Sequence, residues 1–169
     1  SAGATVAAQI TSGAPFEDLI AMQLREDTTE LAVDLDLDAL IEIFSVLADD
    51  ALDPDQRRAR VGALALAADT ITPAARREII AARLPSHEWP DQPMIITAVD
   101  ATSGAFLPIT RETGIPLVDA VTASCAVPGI WPPSAFDGRR FLDGGVRSST
   151  NADLAEGVDT VLVLTPMDT

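Results

Sequence analysis

The chain opens Ser1-Ala2-Gly3-Ala4, the second half of a G-x-S-x-G pattern that runs straight into small helix formers. In that pattern the serine stands on a sharp strand-to-helix turn, and the neighbouring glycines leave room for the bend. The serine oxygen is aimed out of the sheet near the positive end of a helix dipole, which suits nucleophilic attack on a carbonyl. Such a hydroxyl needs a group to take its proton. Histidine is the usual one, and this chain has one, His87, in the loop Ser86-His87-Glu88-Trp89-Pro90, where a plain surface role is expected. A carboxylate is the remaining choice. Aspartate is a weak base, with an ordinary pKa of about 3.9, and needs a partly desolvated, rigid position. Asp143-Gly144-Gly145 fits best: it follows Phe141-Leu142, which can end a strand, and the paired glycines let other groups come close. The same run also has the composition of an ordinary turn. Asp100, at the end of another apolar stretch, ranks second and reads as a turn residue.

Other chemistries leave no trace. There is no Gly-rich phosphate loop, no metal-ligand cluster and no stripe of basic and aromatic residues, so neither a cofactor nor a metal is expected. A single cysteine, Cys125, allows no internal disulfide and reads as a small core residue. It is compatible with a reducing compartment, and a cytoplasmic location is the expectation. Trp89, Trp131 and the five phenylalanines are expected in the core or lining a cleft.

The formal net charge is −15, with thirteen acidic residues between Glu17 and Asp55 opposed by Arg25 alone. That field repels phosphate backbones and anionic headgroups, which argues against a nucleic-acid partner. It also reads as a solvated acidic face. No apolar stretch approaches the roughly 18 residues of a membrane span.

These groups need a scaffold, and 169 residues suffice for one domain with a real core. Ala2 to Gln9 predicts a helix beside Ser1, ended by Ser12, Gly13 and Pro15, and a second helix follows from Pro15 to about Glu26. Leu37, Leu40, Ile41, Phe44, Leu47 and Ala48 keep helical spacing. Asp53-Pro54 and Thr72-Pro73 read as N-caps followed by proline, introducing helices over 54–68 and 73–83. Met94 to Val99 predicts a buried strand and Phe106 to Ile109 its partner, after a turn at Ser103-Gly104. Pro116 to Ala123 predicts a helix, and Val127 to Ala135, with three prolines, irregular chain. A short helix from about Asn151 to Glu156 precedes Val161 to Leu164, a further apolar run of strand type. Continuous apolar strands between helices point to one α/β domain with a mostly parallel sheet sandwiched by helices.

Three segments, in this order, resemble the patatin-like phospholipase family. Ser1-Ala2-Gly3-Ala4 is similar to its G-x-S-A-G-A elbow. Ala123-Ser124-Cys125-Ala126-Val127-Pro128, with Trp131-Pro132-Pro133, is similar to the A-S-x-A-x-P segment that precedes its catalytic aspartate. Phe141-Leu142-Asp143-Gly144-Gly145-Val146, with Asn151 shortly after, is similar to its D-G-G/A motif and downstream asparagine. The resemblance implies one patatin-like α/β domain over 1–169, with a helix-rich insertion over 15–84. It implies a Ser1–Asp143 dyad acting on lipid acyl esters through an acyl-enzyme, with no cofactor or metal. The family's first elbow glycine and its oxyanion-hole loop would lie upstream of Ser1, so the expectation is a piece of a longer protein, nearly inactive alone. Two rival functions share the scaffold: a catalytically silent lipid-binding or interaction module, and an acyltransferase using the same dyad. Headgroup and chain-length preference and oligomeric state are not legible in the sequence.

Overall fold

Side-chain caps set the helix starts. In a computed structural model that describes residues 2–25 and 35–165, the Asp36 carboxylate accepts from Ala39 N–H at 3.0 Å and opens α3 (Leu37–Leu47). Asp53 accepts from Asp55 N–H at 2.9 Å and opens α4 (Pro54–Ala67). Thr72 accepts from Ala75 N–H at 3.2 Å and opens α5 (Pro73–Ala82). Each satisfies a backbone donor that the first helical turn leaves without a partner. Ahead of them stand α1 (Ala2–Ile10) and α2 (Phe16–Gln23), and α6 (Leu117–Ser124) comes later.

The described strands are β1 (Ile96–Asp100), β2 (Phe106–Ile109), β3 (Ser134–Phe136) and β4 (Arg139–Asp143), in the sheet order β2-β1-β4-β3. Every pairing among them is antiparallel, which corrects the expected parallel sheet. The physical reason lies in what a continuous apolar run reports. Ile96 and Ala98 pack into a cluster with α1, α5 and α6, while Val99 packs into a second cluster with α3 and α4. Burial on both faces removes polar residues from a strand whatever the direction of its neighbours.

One further expectation is corrected. Val161–Leu164 forms no strand and is exposed, with Leu162 at 81 %; the run records an apolar preference that no described neighbour satisfies. The short helix expected from about Asn151 to Glu156 is a 3-10 helix, Ala152–Ala155, which the chain enters from Asn151 in the left-handed conformation (φ 49°).

Gly62 shows how tightly α4 lies on the sheet. A Cβ there would overlap the Ala101 carbonyl oxygen and lie 2.6 Å from its carbon. Alanine in an exposed helix interior would gain about 1 kcal/mol over glycine, whereas forcing a methyl into filled space costs about 1–3 kcal/mol. The obstacle is backbone, so the cost wins. Gly62→Ala is expected to lower the urea midpoint; an unchanged or raised midpoint would show that α4 can move off the sheet freely.

Candidate active site

Strand alternation decides which way the candidate carboxylate faces. In β4, Phe141 packs into the cluster with α1, α5 and α6, and Leu142 into the cluster with α3 and α4. Successive side chains point to opposite faces, so Asp143 emerges on the face of Phe141. Its partner across the sheet, Ala98, belongs to that same cluster. Asp143 is the last residue of β4 and is 7 % exposed. Its N–H donates to the Ala126 carbonyl at 3.0 Å, which fastens it to the Ala123–Pro128 segment. Its Oδ1 accepts from Gly145 N–H at 2.7 Å.

Gly144 is sterically required, and Gly145 sits close against the Asp143 carboxylate. A Cβ on Gly144 would overlap Thr97 Oγ1 and lie 2.6 Å from the Thr97 carbonyl oxygen, while one on Gly145 would lie 3.0 Å from Asp143 Oδ1. The chain then closes as a 3-10 turn, Gly144–Val146, held by Asn151: its Nδ2 donates to the carbonyls of Gly144 (3.1 Å) and Ser148 (2.9 Å).

Ser1 lies outside the described residues. The helix it leads into is well placed: Ala4 and Ala8 of α1 are buried in the same cluster as α6 and Phe141. Thr5 Oγ1 is 3.6 Å from Cys125 Sγ, which puts buried Cys125 against α1. Gln9 donates to the Arg83 carbonyl at 2.9 Å and ties α1 to the end of α5. Small residues on the inner side of α1 let it approach α6 closely.

The other sequence candidates have structural duties. His87 is exposed, and its Nε2 meets the Ala81 carbonyl at 2.9 Å; a carbonyl only accepts, so that nitrogen carries the proton. Trp89 packs on the core and donates to the Ile115 carbonyl. Asp100 organises the β1–β2 turn: its Oδ1 accepts from Thr102 N–H, Ser103 N–H and Ser103 Oγ, and its Oδ2 from two nitrogens of Arg139 at 3.0 and 2.8 Å. Burial works against the Asp100 charge, but the bonds from Ser103 N–H, Arg139, the Ser103 hydroxyl and Thr102 N–H outweigh it and hold the carboxyl below the usual range. A lowered folded pKa gives stability that is complete above the ordinary carboxylate value and is lost as pH falls through the folded one. Asp100→Asn is therefore expected to destabilise at neutral pH by about 1–3 kcal/mol, with the gap to wild type closing in acid. A gap independent of pH would assign the loss to shape alone.

Sequence reasoning missed the arginines. Arg139 and Asp100 are 39 positions apart, and Arg77 grips Asp119 through two bonds across 42. Arg76 is 3 % exposed and stacks over Trp131 at 3.6 Å. No local pattern announces such pairs. Arg77 and Asp119, with Thr72, Pro73, Ala74, Ser134 and Ala135, line a cleft of about 390 Å³ that does not reach Asp143. Among the described residues no cluster of histidine, cysteine and carboxylates is arranged to hold a metal. No described helix is long and apolar enough to cross a membrane.

Helices packed on both faces of a small antiparallel sheet, with a buried carboxylate ending one strand, define the fold and its candidate site. A family model described as patatin-like phospholipase matches residues 1–156. The chain belongs to the patatin-like phospholipase family, a family of lipid hydrolases. No curated protein and no solved structure matches it.

Proposed function

We propose that this protein hydrolyses acyl esters of lipids through a Ser1–Asp143 dyad. The observation that supports it most is the facing of Asp143: its carboxylate ends β4 on the sheet face whose hydrophobic cluster includes α6 and Ala4 and Ala8 of α1, and Ser1 immediately precedes α1. In this reading Asp143 takes the proton from Ser1 Oγ as that oxygen attacks the ester carbonyl. Asp143 returns that proton to the departing alkoxide oxygen as the ester C–O bond breaks, the lipid alcohol leaves, and an acyl-serine remains. Ionised again, Asp143 draws a proton from water, whose oxygen attacks the acyl carbon; the bond to Ser1 Oγ breaks, Asp143 gives its proton back to that oxygen, and the fatty acid leaves. Gly145 N–H fixes the carboxylate in one orientation through both half-reactions. No step calls for a metal or organic cofactor. The net charge of −15 favours substrates presented in uncharged or zwitterionic surfaces over anionic ones.

A serine-directed fluorophosphonate probe tests this. The full-length protein is expected to label, and Ser1→Ala to lose both labelling and ester turnover. A folded wild type that does not label would leave a lipid-binding or interaction module as the function. Product analysis with a competing alcohol separates hydrolysis from acyl transfer: an ester product in place of free acid would make the protein a transferase.

A further inference from the structure

The turn after Asp143 is closed by one side chain whose hydrogen-bonding capacity is almost fully used. Asn151 Nδ2 donates to the carbonyls of Gly144 and Ser148 and reaches Thr97 Oγ1 at 3.5 Å. Asn151 Oδ1 accepts from Arg147 Nη1 at 2.9 Å, and Asn151 N–H donates to Ser148 Oγ at 3.0 Å. Arg147 is held in turn by Asp153, with bonds of 2.9 and 2.6 Å to its two oxygens. The guanidinium also lies 4.2 Å from the Phe106 ring centroid. Because Arg147 can only donate, it fixes which end of the Asn151 amide is oxygen, and hence which end meets the two carbonyls. Asn151 holds a left-handed backbone that asparagine tolerates better than most residues. Thr97 presses on Gly144 from β1, so the turn is clamped between the strand and the amide.

We infer that Asn151 is a positioning residue for the Asp143 carboxylate, with the Arg147–Asp153 pair setting its amide. The path is short: the amide holds the Gly144 carbonyl, Gly144 leads into Gly145, and Gly145 N–H holds Asp143 Oδ1. Release of the amide lets the turn relax and the carboxylate rotate away from its working orientation. This inference rests on Asp143 being the base.

Two variants separate positioning from simple architecture. Asn151→Gly keeps the left-handed backbone and deletes the amide. Asn151→Asp keeps size and shape but sets an acceptor against two carbonyl oxygens. Both are expected to lower kcat, per folded molecule of full-length enzyme, by about tenfold to a hundredfold, the scale of a misplaced reacting group. KM is expected to stay within about twofold, since ground-state binding is untouched. A purely structural asparagine would lower the melting temperature and leave kcat per folded molecule unchanged, and that result overturns the inference. Asp143→Asn run alongside keeps the two readings distinct. If it retains turnover, the base assignment fails and takes Asn151 with it; if it is dead while both Asn151 variants keep wild-type kcat, only the positioning role fails. Should neither Asn151 variant fold, Asp153→Asn carries the test, since Asp153 is half exposed and lies outside the turn. It is expected to lower kcat by about twofold to fivefold with KM unchanged, a fraction of the misplacement cost, and an unaltered kcat would overturn the inference.

Discussion

Asp143→Asn is expected to reduce ester turnover by about a hundredfold to ten-thousandfold, the range contributed by a positioned general base. The asparagine oxygen can still accept from Gly145 N–H, and the Ala126 carbonyl still receives the backbone N–H of residue 143. What changes is the charge on the acceptor, worth about 1 kcal/mol in a hydrogen bond, or about 2–4 °C in melting temperature for a chain of this size. The variant should therefore fold and bind lipid while failing to turn it over. Steady-state kinetics alongside a melting curve checks both halves. Turnover near wild type would make Asp143 a turn residue like Asp100, which also ends a strand and accepts from the N–H groups that follow.

That contrast shows how far the sequence could be read. Helices were legible because their signals are local: Asp53-Pro54 and Thr72-Pro73 each place a cap oxygen two or three residues from the donor it satisfies, and α4 and α5 start at those prolines. β2 and β4 were legible through short apolar runs next to turn residues. Strand direction was not, because Val99 and Leu142 are apolar for the helices above them and carry no mark of the neighbour beside them. Asp143 and Asp100 look alike as strand-final aspartates. Arg139 reaches the Asp100 carboxylate with two bonds from 39 residues away. An ion pair at that separation follows from the fold and leaves no periodic trace. Asn151 was visible as part of a family pattern, but its grip on the Gly144 carbonyl follows only from the left-handed backbone that brings the chain back.

Gly144→Ala is the substitution expected to harm stability and activity together. Its Cβ would overlap Thr97 Oγ1 and lie 2.6 Å from both Thr97 Cβ and the Thr97 carbonyl oxygen. Turning the threonine side chain relieves the first contact only, since the other two atoms cannot move without shifting β1. β1 is the central strand, paired with β2 on one side and β4 on the other, so the turn must give way instead. Strain of that kind costs about 1–3 kcal/mol, comparable to Gly62→Ala, but the two variants differ in what moves. Gly62 sits on α4, across the sheet from Asp143, and its displacement leaves the carboxylate alone. Gly144 follows Asp143 directly and its carbonyl is the one Asn151 holds, so any displacement carries Gly145 N–H away from Oδ1. Gly144→Ala is therefore expected to lose about a hundredfold in kcat beyond its folded fraction, the cost of moving a reacting group by about 1 Å, whereas folded Gly62→Ala keeps wild-type kcat. Active-site titration of both, at a temperature where each remains folded, makes the comparison. Equal kcat in the two variants would mean that the turn behind Asp143 can shift without disturbing the carboxylate, and that the crowding at Thr97 serves the fold alone.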